Sequence, residues 1–75
     1  MSAHANYLRD LGYELRRQAE AARAEARARP EDAFAQGQAH AFCSVLSLMQ
    51  QQAQSFGLPL GELALDGLDA ERDLL

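Results

Sequence analysis

Between Asp32 and Glu62 the chain contains no Asp, Glu, Lys or Arg, although both flanks are densely charged. Within that window apolar residues return every seven positions. Ala35, Phe42, Met49 and Phe56 form one row, and Ala39, Leu46 and Ala53 form a second row four residues on. Period-seven spacing of this kind places side chains on one face of a helix. The spacing predicts a long helix from Ala33 to about Gly57. A helix without charge is expected to be covered by neighbours over most of its surface.

Projected at ~100° per residue, the apolar positions of this helix fill an arc of about 220°, where a helix packed on one neighbour needs little more than ~100°. The arc runs from Leu48 through Ala41, Phe34, Val45, Phe56, Met49, Phe42, Leu46 and Ala53 to Cys43, with Gln38, Gln50 and Gln52 inside it. Gln36, His40, Ser44, Ser47, Gln51 and Gln54 lie on the polar strip.

Residues 4–28 carry a second helical pattern. Leu8, Leu15 and Ala22 recur at seven, with Gly12, Ala19 and Ala26 four beyond each and Leu11 and Tyr7 widening the stripe. Ser2 and Asn6 both qualify as the cap. Gly12 costs ~1 kcal/mol against Ala inside a helix, so its place on the apolar stripe predicts close approach of another element. Arg29-Pro30 ends this helix, because the residue before proline is driven out of the helical region. Pro30 is expected at the first position of the next helix, followed by Glu31 and Asp32 in its opening turn. So short a link implies antiparallel packing, with Ala26 opposite Ala35, Ala22 opposite Ala39, Leu15 toward Phe42, Leu8 and Leu11 toward Met49, and Phe56 near Tyr7.

Gly57, Leu58 and Pro59 form an exit signal, with glycine in the left-handed position and proline barring continuation. A short third helix is expected over 59–65 and a turn at Asp66-Gly67. The remainder, 68–75, is acidic with spaced leucines. It reads either as a loosely packed surface tail or as a segment that docks into an apolar groove on a basic partner; on the docking reading its removal is expected to leave the helical dimer intact and to weaken partner binding.

The expected fold is therefore all-α. Residues 1–58 form an antiparallel helical hairpin, and residues 59–75 form a short helical segment and acidic tail packing on the hairpin or on a partner. Antiparallel pairing leaves a wall around Phe34, Ala41, Val45 and Leu48 without cover. Pairing two hairpins as a dimeric four-helix bundle covers it. The expected dimer interface is Phe34, Ala41, Phe42, Val45, Leu46, Leu48, Met49, Gln52 and Phe56. Candidate contacts to a further protein are His40, Gln51 and Gln54 on the polar strip and Asp66, Leu68, Asp69, Leu74 and Leu75 in the tail.

Charge narrows the function. The net charge is −4 over 75 residues, and there is no lysine. The first 29 residues carry six Arg against four acids, and the rest carry one Arg against seven. Phosphate binding needs clustered cations, so a nucleic-acid partner is expected only through the Arg-bearing first helix. Those arginines alternate with acids, as on a salt-bridged solvent face. Residues 52–63 have helix-turn-helix-like spacing at Ala53, Gly57 and Leu63. The residues that would read bases, 59–66, offer no Arg, Lys, Asn or Gln and carry two acids. No apolar run reaches the ~20 residues of a membrane span. The amino-terminal residues lack the basic start and apolar run of a signal peptide, and a cytoplasmic location is the expectation.

Chemistry-bearing pairs are sparse. His40 and Cys43 are three apart, but structural zinc takes about four ligands. Ser44 follows His40 by four, yet no acid on that helix could orient the imidazole. Cys43 is the sole cysteine. No catalytic residue, metal ligand or cofactor site is expected. The pattern points to a small non-enzymatic interaction or regulatory protein (adaptor, antitoxin-like or inhibitor) acting as a homodimer, with a nucleic-acid-associated regulator as the alternative.

Overall fold

The computed structural model describes residues 2–75 and contains helices and turns, with no strand among the described residues. Helix α1 spans Ala3–Ala28 and helix α2 spans Ala33–Ser55; a 3₁₀ turn, Leu60–Leu63, and helix α3, Ala70–Leu74, follow. α1 and α2 pack against each other as a hairpin, and the molecule measures 44 × 21 × 17 Å.

Local chemistry fixes each boundary. Ser2 caps α1, its hydroxyl accepting from the Ala5 N–H at 3.1 Å; Asn6 is already helical. α1 stops after Ala28, before Arg29-Pro30, as the proline requires. α2 starts at Ala33, as the charge-free window predicts, and the expectation that Pro30 takes its first position is corrected. Pro30 and Glu31 form a turn, and Asp32 is the cap rather than a residue of the first turn. The Asp32 carboxylate accepts from the N–H groups of Phe34 at 3.0 Å and Ala35 at 3.2 Å. Starting the helix at Pro30 would forgo this cap, which typically contributes ~1 kcal/mol. Gln36 closes the same corner from above, donating to the carbonyls of Ala26 at 2.7 Å and Arg29 at 3.2 Å.

The end of α2 is as the sequence predicts. Gly57 is left-handed at φ 70°. Leu58 N–H donates to Ala53 at 2.8 Å and Gly57 N–H to Gln54 at 3.1 Å, which satisfies two of the orphan carbonyls of the last turn. Gly67 makes the expected turn at φ 76°.

The small residues meet near the hairpin turn. Ala22, Ala26 and Ala39 form one buried cluster, with Phe42 against it. The larger cluster joins Ala19, Cys43, Leu46 and Ala53 of the hairpin to Leu63, Leu65, Leu68, Ala70 and Leu74. More than half of that cluster therefore comes from the C-terminal segment, and residues 1–58 and 59–75 share one core.

This corrects the reading of the tail. Leu68 and Leu74 are buried, Leu74 at 1% exposure. Tied to the hairpin, they are neither a loose surface nor a free docking segment. The reason is geometric. The apolar arc of α2 is too wide for α1 alone, and the segment after Pro59 folds back over the Cys43–Leu46 side of it. Leu68, Ala70 and Leu74 share one core cluster with Leu46, so removal of residues 68–75 takes three buried side chains from it.

Gly12 allows the return. A Cβ there would overlap the carbonyl oxygen of Leu63. The close approach expected at Gly12 is thus to the backbone of the 3₁₀ turn. Arg16, one turn on, donates to the carbonyls of Ala64 at 3.1 Å and Asp66 at 2.9 Å. Gln50 donates to Leu68 at 2.9 Å, and the Cys43 thiol donates to Ala70 at 3.5 Å. Side chains from both long helices therefore hold the segment by its backbone.

Candidate interaction surface

With the C-terminal segment on one side of the hairpin, the opposite side of α2 has no cover within the chain. Phe34 is 77% exposed, Val45 43%, Leu48 55% and Phe56 75%. Ala41 and Gln52 are exposed between them, as is Gln38. Phe42 and Met49 are half-buried at the border of this face, where they pack on the core. Of the nine residues expected at a dimer interface, Leu46 is misplaced. It is fully buried beneath the C-terminal segment and belongs to the core of the single chain. It sits at the middle of the apolar arc, and the sequence could not show which side of that arc the tail would take.

The face is continuous and without charge. The spacing of Phe34, Gln38, Ala41, Val45, Leu48 and Gln52 alternates four and three, which is the seam of a helix that packs along its length on another helix. Two ion pairs stand on α1 and its C-cap, Glu14 with Arg17 at 3.1 Å and Glu25 with Arg29 at 2.9 Å. Leu8 and Leu11 of α1 are also partly exposed, and Tyr7 and Phe56, expected to approach one another, both stand largely exposed.

The other predicted contact residues fall into two grooves on the covered side. Gln51, Gln54, Leu68 and Asp69 line a groove of about 660 Å³ between the polar strip of α2 and the C-terminal segment, together with Ser47 and Leu60. His40, Leu74 and Leu75 line a second groove of about 650 Å³ with Arg23, Arg27 and Gln36. Asp66 stands apart from both, its backbone carbonyl held by Arg16. His40 is exposed while Cys43 is buried under α3, so the two do not share a face. Among the described residues no three His, Cys, Asp or Glu side chains converge as a metal site.

At the start of α3, Asp69 accepts from Arg72 N–H at 3.1 Å while Asp73 accepts from Asp69 N–H at 3.0 Å. This reciprocal arrangement resembles a capping box displaced by one residue. Arg72 also grips Asp73 through two bonds, at 2.8 and 3.0 Å. The Arg72 guanidinium, and then the Asp69 N–H, hold the Asp73 carboxyl well below the usual carboxylate range. Four of the seven arginines, Arg16, Arg17, Arg29 and Arg72, thus have partners within the chain. No helix among the described residues is long and apolar enough to cross a membrane.

Compared with protein-family models, with curated proteins and with solved structures, the chain matches none.

Proposed function

We propose that the chain is a non-enzymatic interaction module of the adaptor or inhibitor kind, and that it works as a homodimer paired through the open face of α2. One observation carries the reading: an uncharged row from Phe34 to Phe56 stands exposed along one side of the central helix. Exposed apolar patches of this length mark interaction sites. The supply of charge elsewhere on the chain makes its absence here a feature of this face and not of the composition.

Pairing two hairpins would bury the row between helices and leave the grooves on the covered side turned outward, with Gln51, Gln54 and Asp69 available to a further protein. Sedimentation equilibrium between about 1 and 200 μM tests the reading. A dimer is expected at micromolar concentration. Val45→Glu, which sets an unpaired charge in the middle of the face, should weaken self-association by more than about tenfold, a factor equivalent to ~1.4 kcal/mol. A helical chain that stays monomeric across the whole range would overturn it.

A further inference from the structure

The open face of α2 reads alike from either end. Val45 is its midpoint. Phe34 and Phe56 lie eleven positions to either side, Gln38 and Gln52 lie seven, and Phe42 and Leu48 lie three. At ~100° per residue, steps of seven and eleven return to within ~20° of the starting direction. Phe34, Gln38, Gln52 and Phe56 therefore share the direction of Val45, and all five are exposed.

We infer that α2 pairs with α2 of a second copy of this chain, antiparallel, about a two-fold axis at Val45. The inference rests on the homodimer reading above and adds its geometry. A two-fold axis requires that if one residue meets a second, the second meets the first. About Val45 the centre, the glutamines and the outer phenylalanines meet like on like, and Phe42 with Leu48 and Ala41 with Met49 meet as apolar pairs. Phe34 meets the partner's Phe56, Gln38 meets the partner's Gln52, and Val45 meets the partner's Val45. Each glutamine pair can exchange an amide donor for an acceptor. Sliding the helices by one heptad would set Gln38 on the partner's Val45 and leave the amides without partners, so the glutamines select the register at some cost in apolar contact.

Electrostatics selects the direction. Glu31 and Asp32 stand at the start of α2, whereas its end, from Gln50 to Pro59, is uncharged. Parallel pairing would bring the acids of the two chains together. Antiparallel pairing places each acidic start beside an uncharged end and sets opposite ends of the two helix dipoles side by side. The 22 steps from Phe34 to Phe56 span ~33 Å, so that the row runs the length of α2.

The full chain carrying Cys43→Ala and a nitroxide at Ala33→Cys gives the test, read by pulsed electron paramagnetic resonance alongside sedimentation. Ala33 is exposed and off the seam, and the buried Cys43 is replaced so that one thiol is labelled; Cys43→Ser serves should the alanine variant lose helicity. Twelve residues from the axis, the two labels should stand about 35–40 Å apart in the antiparallel dimer and under about 20 Å apart in a parallel one. Val45→Cys, placed in the Cys43→Ala chain without the Ala33→Cys label, should oxidise to a disulfide-linked dimer. A dimer with the short distance, or one in which Val45→Cys fails to cross-link, overturns the antiparallel register and leaves the homodimer reading standing. A monomer overturns both. A face that fills only on addition of a different protein overturns both as well.

Discussion

At the residue scale, Gly12 is the position with the least freedom. Its missing side chain lets the Leu63 carbonyl lie against α1. Gly12→Ala raises helix propensity, which by itself would favour α1 by ~1 kcal/mol. The backbone overlap outweighs that gain, since a forced shift in a packed interior costs ~1–3 kcal/mol. The expected outcome is net destabilisation on urea unfolding, with amides of the 3₁₀ turn losing hydrogen-exchange protection first. Asp73 supplies a second prediction. Its pKa is lowered in the folded chain, so its contribution is fully present above the ordinary carboxyl value of ~3.9 and is lost as pH falls below it toward the folded value. Acidification from pH 5 to pH 3 should loosen α3, seen as a lower protection factor at the Leu74 amide after division by the intrinsic rate, which itself slows in acid, and the pH 5–8 interval should show no effect from this group. Asp73→Asn should remove the acid sensitivity.

At the element scale, the C-terminal segment is the chain's own answer to half of α2's apolar arc. Two of the three largest fully buried side chains, Leu65 and Leu74, belong to it. Leu74→Ala should cost ~2–5 kcal/mol, as large-to-small changes in packed cores do, and the loss should appear as one transition with the hairpin because the core is shared. Arg16→Ala removes two charge-assisted bonds to the Ala64 and Asp66 carbonyls. That change should lower stability by ~1–2 kcal/mol and speed exchange in residues 60–68 more than in α1 or the first half of α2.

At the scale of the whole molecule, the uncovered half of the arc sets the behaviour. If two chains close it, stability is linked to association, and the unfolding midpoint rises with protein concentration. The midpoint of the parent chain should therefore climb between about 2 and 200 μM, while that of Val45→Glu should stay flat and lower. A concentration-independent midpoint for the parent would contradict self-pairing.

The amino-acid sequence by itself determined what depends on neighbours along the chain. The two long helices, the Arg29-Pro30 break, the Gly57 exit, the Asp66-Gly67 turn and the uncharged wall of α2 all follow from periodicity and from backbone limits that glycine and proline impose within a few residues. Pro30 and Asp32 compete as start signals just before Ala33, and the side-chain cap of Asp32 wins. Only the tertiary structure decided what covers what. Leu46, Leu68 and Leu74 look no different in sequence from Val45, Leu48 and Leu75. Burial separates them because residues 59–75 fold back past Gly12 onto one side of the hairpin, a long-range arrangement held by the Arg16 and Gln50 side chains donating to its backbone carbonyls, which no short-range pattern encodes.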